Sequence, residues 1–389
     1  MTIGRRTALA AAATALVTGT APAARAARQD GPLQRDADAV RATGATGVLA
    51  EVRTARGRAA ARSGVADLTT GDPVPWDAYY RIGSDTKTFT AALVLQLAHE
   101  RRVSLTDTVE RWLPGLVHGN GNDGRRITLV NLLRHTSGLN EYAEFGDFTP
   151  EAYRAARFRP SDPPDRQVAA ALRRPPGWLP RRDDPAEERR WGYSNTDYVL
   201  LGMVLEKATG HSWAELLHDR ILEPLGLRHT FTPGSSPYVP RPTATAYTEF
   251  PGSPRPVDTS LAAGGWADGG IVSTPRDLAA FLSALMGGRL LPAAQLAAMR
   301  RTVPAEGWIA APGVRYGLGI AWRPVPGSRS GIWFHGGTHL GTVSESGVTP
   351  DGDRAVATAV FTLRTDPKGR EAQARAALRL VDRALVRRD

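Results

Sequence analysis

The sequence predicts an α/β protein in which one antiparallel sheet, drawn from both chain ends and flanked by helices, is joined to a mostly helical second lobe. Three observations carry this. Two strand-like runs, Thr46 to Thr54 and Arg58 to Leu68, stand near the start. The period returns to two past residue 314, and a helical, loop-rich pattern fills roughly 105 to 305. With 389 residues, 42% hydrophobic and 23% charged, the chain can bury a large core. The expected division is one two-lobed domain over 27–389, with an α/β lobe at about 35–100 and 310–389 and a helical lobe at about 101–309.

The first residues are set apart. Arg5 and Arg6 precede an apolar run from Ala8 to Val17, and Ala24-Arg25-Ala26 closes the segment. This pattern predicts a cleavable signal peptide over residues 1–26, with the paired arginines compatible with twin-arginine export. The mature chain is then expected outside the cytoplasm, with no transmembrane anchor and as a monomer. Ala55-Arg56-Gly57 is the expected turn between the first two strands, and Gly71-Asp72-Pro73 closes the pair. Residues 84–99 form a helix that is apolar on nearly every side, which places it inside the core.

Further helices are expected at Leu129 to Arg134, Thr196 to Thr209, Trp213 to Ile221, Pro275 to Met286 and Pro292 to Met299. Gly210 caps the second of these, and Ser273-Thr274-Pro275 opens the fourth. Proline and arginine dominate 149–190, which reads as an exposed excursion. Later strands are expected at Tyr316 to Trp322, Gly331 to His335, Thr342 to Thr349 and Ala355 to Thr362. Pro350-Asp351-Gly352-Asp353 is a hairpin turn, and a final helix runs from about Gly369 to Val386.

Composition excludes several classes. Without cysteine there is no disulfide and no thiolate metal site. The formal charge is +10, and removal of residues 1–26 takes Arg5, Arg6 and Arg25 and leaves +7. Polyanions are plausible neighbours, but no aromatic-and-basic motif marks a nucleic-acid module. His335 and His339 have a spacing seen in metal sites, yet no H-E-x-x-H helix accompanies them, so neither a metal nor another cofactor is expected.

Ser84 and Lys87 lie three apart at a helix start and so face the same way. A desolvated amine can take the proton of a serine hydroxyl, and free N–H groups at the helix start stabilise developing negative charge. The bland alternative is a cap serine followed by a surface lysine. Only three lysines exist, however, and Lys87 stands in an apolar helix where an idle charge is costly. Tyr193-Ser194-Asn195 precedes another apolar helix and also reads as a simple cap. Trp333-Phe334-His335-Gly336-Gly337-Thr338 is a strand carrying a histidine and two glycines, where backbone can approach a ligand, although the histidine can equally be structural.

Taken in order, Ser84-x-x-Lys87, Tyr193-x-Asn195 and His335-x-Gly337 resemble the active-site motifs of serine D-alanyl-D-alanine carboxypeptidases and class C β-lactamases. Leu132 to Leu139, Glu223 to Leu227 and Gly269 to Thr274 are similar to that family too, and the likeness spans about 35–385. The resemblance implies a β-lactamase/DD-peptidase-like fold and an acyl-enzyme on Ser84. Lys87 and Tyr193 would share proton transfer, Asn195 would hold the substrate amide and Lys87, and the N–H groups of Ser84 and Thr338 would form an oxyanion hole. It also implies that histidine at 335, where the lactamases have lysine, points to the peptidase branch.

Two departures bear on substrate. Gly336 stands where the family's peptidases usually have a hydroxyl residue that helps bind a terminal carboxylate, so Thr338 or Arg323 is the expected substitute, Arg323 being the better charge partner. The Arg/Pro-rich stretch Trp178 to Arg190 is a candidate rim of the cleft. Trp266 matches a cleft aromatic of the family, or is a core tryptophan. The expected function is a secreted D-alanyl-D-alanine carboxypeptidase, with a class C-like β-lactamase, an esterase, or a penicillin-binding sensor that stays acylated as alternatives. No G-x-S-x-G elbow points to an α/β-hydrolase.

Overall fold

The computed structural model describes residues 25–26, 31–142, 149–181, 190–262, 264–326 and 330–387. The expected signal peptide therefore falls almost wholly outside the described residues, as does 182–189 of the Arg/Pro-rich rim. Among the described residues no helix is long and apolar enough to cross a membrane.

Period-two patterning at both ends of the chain builds one sheet. Its order is Arg25–Ala26, Gly57–Gly64, Gly47–Thr54, Arg354–Val360, Thr342–Val348, Ile332–His339, Ala321–Arg323, Arg315–Tyr316, Val303–Pro304. All neighbours are antiparallel except the first pair. Alternate side chains face opposite ways. Ile332, Phe334, Val356 and Val360 pack against the terminal helices Pro32–Arg41 and Pro367–Val386, while Trp333, Val348, Ala355 and Ala357 join the larger core with the central helices.

Helix Thr86–His99 is buried on all sides, as its composition requires, and Phe89 stacks on Phe281 with ring centroids 3.5 Å apart. Thr128 and Asn131 form a capping box at the start of helix Leu129–Arg134. Gly210, with φ of 77°, ends helix Asn195–Thr209.

Several expectations need correction. The stretch from 149 is not a bare excursion, because helices Pro150–Ala156 and Pro164–Ala171 form in it and bury Tyr153, Val168 and Ala171. Proline there occupies first-turn positions, where it starts helices rather than breaking them. The single strand expected over Tyr316 to Trp322 is two strands, Arg315–Tyr316 and Ala321–Arg323, folded back on each other. Gly319 turns the chain at φ 79°, and a Cβ there would lie 2.3 Å from that of Ala91, so the turn is pressed against the central helix. Helix Pro275–Met286 packs on strands Gly47–Thr54 and Arg354–Val360, so part of the expected helical lobe belongs to the sheet. The polar stretch before Thr46 contains helix Pro32–Arg41.

Candidate active site

Ser84 lies in a single 3₁₀ turn, Gly83–Asp85, that leads into helix Thr86–His99. The turn is pressed against strand Ile332–His339. A Cβ on Gly83, whose φ is 53°, would meet the Thr338 backbone nitrogen at 2.8 Å, and one on Gly337 would meet the Ile82 carbonyl at 1.8 Å and the Ser84 nitrogen at 2.9 Å. Only glycine permits this approach from either side. Gly337 and Thr338 thus run directly beside the nucleophile, as the sequence leads one to expect.

Lys87 is completely buried. Its Nζ donates to Ser84 Oγ at 3.0 Å, Asn195 Oδ1 at 2.6 Å and the Asp268 carbonyl at 2.7 Å. Burial lowers its pKa to about 8 against the pull of Asp268, Glu141, Asp197 and Asp85. Tyr193 also hydrogen-bonds Ser84, and burial pushes its phenol well above the ordinary value, so it is a neutral proton donor. Its ring is stacked on Trp308 at 5.6 Å and lies over His135 at 4.4 Å. Below it, His135 Nδ1 meets Asp197 Oδ2 at 3.0 Å, and Ser137 donates to the other oxygen of Asp197. Burial drives the imidazole down and the carboxyl up, and the pair packs beneath Tyr193 as a floor.

Asn195 is fixed from its other side by Glu141, which accepts from its backbone N–H and its Nδ2, each at 3.1 Å. Tyr142 donates to Asp268 Oδ2 at 2.8 Å and so holds the loop whose carbonyl receives Lys87. Glu141, Tyr142 and Asp268 were not assigned a role from the sequence. Glu141 and Tyr142 stand two and three residues past Leu139, the end of the family-like stretch, which was the available signal. Behind the turn, Asp85 accepts from Ser346 Oγ at 2.6 Å, and burial raises its pKa to about 7.

His335 reaches the site, but as a neutral group. Its Nδ1 donates to the Gly336 carbonyl at 2.6 Å, so Nε2 accepts from the Tyr316 hydroxyl at 2.9 Å. Burial, assisted by Lys87, lowers its pKa to about 3. His339, half-buried, faces Arg81, and desolvation lowers its pKa to about 3 as well.

One expected residue is elsewhere. Arg323 lies on the terminal-helix face of the sheet, is 3% exposed, and its Nη1 is 2.6 Å from Asp382 on helix Pro367–Val386, so it is not placed to meet a substrate carboxylate. Strand alternation sends its side chain to that face. Trp266, half-buried, packs its ring on Gly202 and edge-on to Trp213 at 6.3 Å, contacts that fit the core alternative.

A serine joined to a buried lysine and a neutral tyrosine, flanked by a strand that offers backbone N–H groups, defines a serine acyl hydrolase. The family model described as Beta-lactamase matches residues 23–382, and the chain belongs to that family. Among solved structures it is similar to a D-stereospecific amidohydrolase from Streptomyces sp., with 35% identity over 90% of this chain and 97% of that one and a TM-score of 0.79. A D-amino acid amidase from Ochrobactrum anthropi SV3 follows, with 26% identity over 90% and 96% and a TM-score of 0.75. Among curated relatives, penicillin-binding protein 4 of Amycolatopsis lactamdurans is 32% identical over 181 residues, 44% of this chain and 40% of that protein. The chain thus matches less than half the length of that relative.

Proposed function

We propose that the protein is an exported D-stereospecific amidohydrolase that cleaves amides and short peptides of D-amino acids bearing a free α-amine. One observation carries the reading: Arg323, the charge partner named from the sequence for a terminal carboxylate, is otherwise engaged, and Thr338, the other residue named, brings no charge. Arg323 is paired with Asp382, and His335 is held neutral between Tyr316 and Gly336. Carboxylates border the nucleophile instead. Glu141, half-buried beside Asn195, has the charge to receive an α-ammonium. The amidase neighbours support this choice, and the export pattern at Arg5, Arg6 and Ala8 to Val17 supports action outside the cytoplasm.

In this reaction Lys87 takes the proton of Ser84 as Oγ attacks the carbonyl, while the N–H groups of Ser84 and Thr338 receive the negative oxygen. Tyr193 gives its proton to the departing amine, and the proton that Lys87 took from Ser84 restores the Tyr193 phenol. Water then hydrolyses the ester by the same path. The D-alanyl-D-alanine carboxypeptidase reading is retained as the second, favoured by the penicillin-binding relative.

The test is release of ammonia from D- and L-phenylalanine amide, run beside a D-Ala-D-Ala peptide and benzylpenicillin with intact-mass detection of the Ser84 adduct. We expect turnover of the D-amide, at least tenfold preference over the L-amide, and a KM for the D-amide raised about tenfold by Glu141→Gln. Faster cleavage of the D-Ala-D-Ala peptide than of the amide would establish the second reading instead.

A further inference from the structure

Two of the three groups that receive the Lys87 amine are themselves held by neighbouring residues of one segment. Asn195 accepts from Nζ and donates in turn to Glu141, while the Asp268 carbonyl accepts from Nζ and the Asp268 carboxylate accepts from Tyr142. Glu141 and Tyr142 are adjacent in the chain, so a closed ring of contacts runs from Lys87 through Asn195, Glu141, Tyr142 and Asp268 and back to Lys87. Such a ring leaves Nζ one position, directed at Ser84 Oγ.

The Asp268 arm of the ring is the more firmly built. Ile271 N–H donates to Thr86 Oγ1 at 3.2 Å and Thr90 Oγ1 donates to the Ala267 carbonyl at 2.7 Å, which fastens 267–271 to helix Thr86–His99 on both sides of Lys87. Asp268 Oδ1 accepts from the Trp266 N–H at 3.1 Å and Oδ2 from Tyr142 at 2.8 Å, and the residue is only 4% exposed. Asp268 therefore meets the amine with its carbonyl and brings its carboxylate near in a place where little water screens the charge.

Four carboxyls face Lys87 from different parts of the fold. Asp85 comes from the nucleophile turn, Asp197 from helix Asn195–Thr209, Glu141 from the segment after Leu139 and Asp268 from the 267–271 stretch, and Asp268 has the strongest pull. Burial raises the carboxyls of Glu141, Asp197 and Asp85, which weakens their hold on the amine near neutral pH. His135 and His335 also face the amine, with imidazoles driven down by burial, and Tyr193 faces it with a phenol driven up.

We propose that Asp268, clamped by Tyr142, is a positioning residue for Lys87 that points the amine at Ser84 and keeps its proton in place until the alkaline range, so that this carboxylate sets the pH at which the nucleophile becomes active. The role goes beyond the amidohydrolase reading, because it concerns activation of Ser84 and holds for any acyl donor. A negative group beside an ammonium makes its proton harder to remove. Without that group the neutral amine is present at lower pH, and it is also a weaker base.

The test measures kcat/KM for p-nitrophenyl acetate from pH 5.5 to 9.5 in wild type, Asp268→Asn and Tyr142→Phe, with Ser84→Ala as the blank. Asp268→Asn keeps the backbone carbonyl and the size of the side chain but loses the charge. At pH 6 its rate, as a fraction of its own alkaline plateau, should be about tenfold above the wild-type fraction, with the plateau lowered by less than about tenfold. Tyr142→Phe keeps the charge and loosens the clamp, so its limb should stay at the wild-type pH while kcat falls by about threefold. A merely structural role would lower activity in both variants and move neither limb. An unmoved limb in folded Asp268→Asn overturns the proposal, as does a limb in Tyr142→Phe that moves down as far as that of Asp268→Asn. A wild-type limb centred at pH 6 or below overturns it even if neither variant folds. Failure of wild type to hydrolyse D-phenylalanine amide, with the limbs as expected, overturns the amidohydrolase reading alone.

Discussion

The hydroxyl of Tyr316 lies 2.9 Å from Nε2 of His335, and this contact decides what the histidine is. With Nδ1 committed to a carbonyl, the imidazole can only accept at Nε2, and it is closed in by Trp308 edge-on at 5.3 Å. A cationic lysine at such a position could hold a carboxylate, whereas this neutral ring cannot. Its pKa falls from 6.5 to about 3, so the unfolded chain binds the extra proton between those values and stability drops as pH falls through that window. Tyr316→Phe leaves Nε2 buried without a donor and is expected to cost about 1–3 kcal/mol, read by urea unfolding at pH 7. In kcat/KM no imidazole limb near pH 6.5 is expected for either protein.

The alkaline chemistry belongs to Lys87. Its amine accepts the Ser84 proton only when neutral, and burial has brought its pKa down to about 8. Activity should therefore rise with pH, falling about tenfold for each unit below 8, because the protonated fraction cannot act as base. The limb belongs to a coupled site that includes Tyr193 and the carboxyls facing the amine, so it is a property of the group. A kcat/KM profile on a neutral ester from pH 5 to 9 measures it. A flat profile would show that another group takes the proton.

Much of this was legible in the chain because the signals were local. Helices Leu129–Arg134 and Pro275–Met286 have the expected limits, since cap residues and apolar spacing lie within them. Ser84, Lys87, Tyr193 and Asn195 converge as their motifs implied. What escaped depends on pairing across the fold. Nothing near Arg323 shows that Asp382 will meet it, nothing near Gly336 shows Glu345 beneath it, and Tyr316 looks like any strand aromatic until the turn at Gly319 folds it back onto His335. The split of that strand was hidden for the same reason, since apolar residues continue through Leu318 and Ile320 and the period gives no break.

The terminal helices offer a prediction about stability alone. Asp36, only 4% exposed, accepts from Arg383 Nη1 and Arg387 Nη2, each at 2.8 Å, and ties helix Pro32–Arg41 to the end of helix Pro367–Val386. The arginines are partly solvated, which limits the gain, but removal of the carboxylate leaves two cations facing a closed helix contact. Asp36→Ala should lower stability by about 1–2 kcal/mol, and kcat/KM on the ester should be unchanged because the clasp lies on the face of the sheet away from Ser84. Chemical denaturation with parallel assay separates the two. A large loss of activity without loss of stability would mean that the terminal helices reach the site by a route the contacts do not show.

Gly337 joins packing to chemistry most directly. A methyl group there would sit 1.8 Å from the Ile82 carbonyl and 2.9 Å from the Ser84 nitrogen, and both are backbone atoms that no rotamer change can move. Gly337→Ala must therefore part the strand from the nucleophile turn by an ångström or more. Overpacking of this kind costs about 1–3 kcal/mol in stability. The catalytic loss is larger in proportion, because the N–H groups of Ser84 and Thr338 face one oxygen only while strand and turn are in contact, and misplacement on this scale costs about a hundredfold in rate. The expected result is a folded protein with kcat/KM down by about two orders of magnitude and the fall carried mainly by kcat, since the oxyanion develops after binding. Steady-state kinetics on an ester, with burst amplitude to count acylated Ser84, tests this. An unchanged acylation rate in a folded Gly337→Ala variant would show that the strand's closeness to Ser84 serves packing and not the oxyanion.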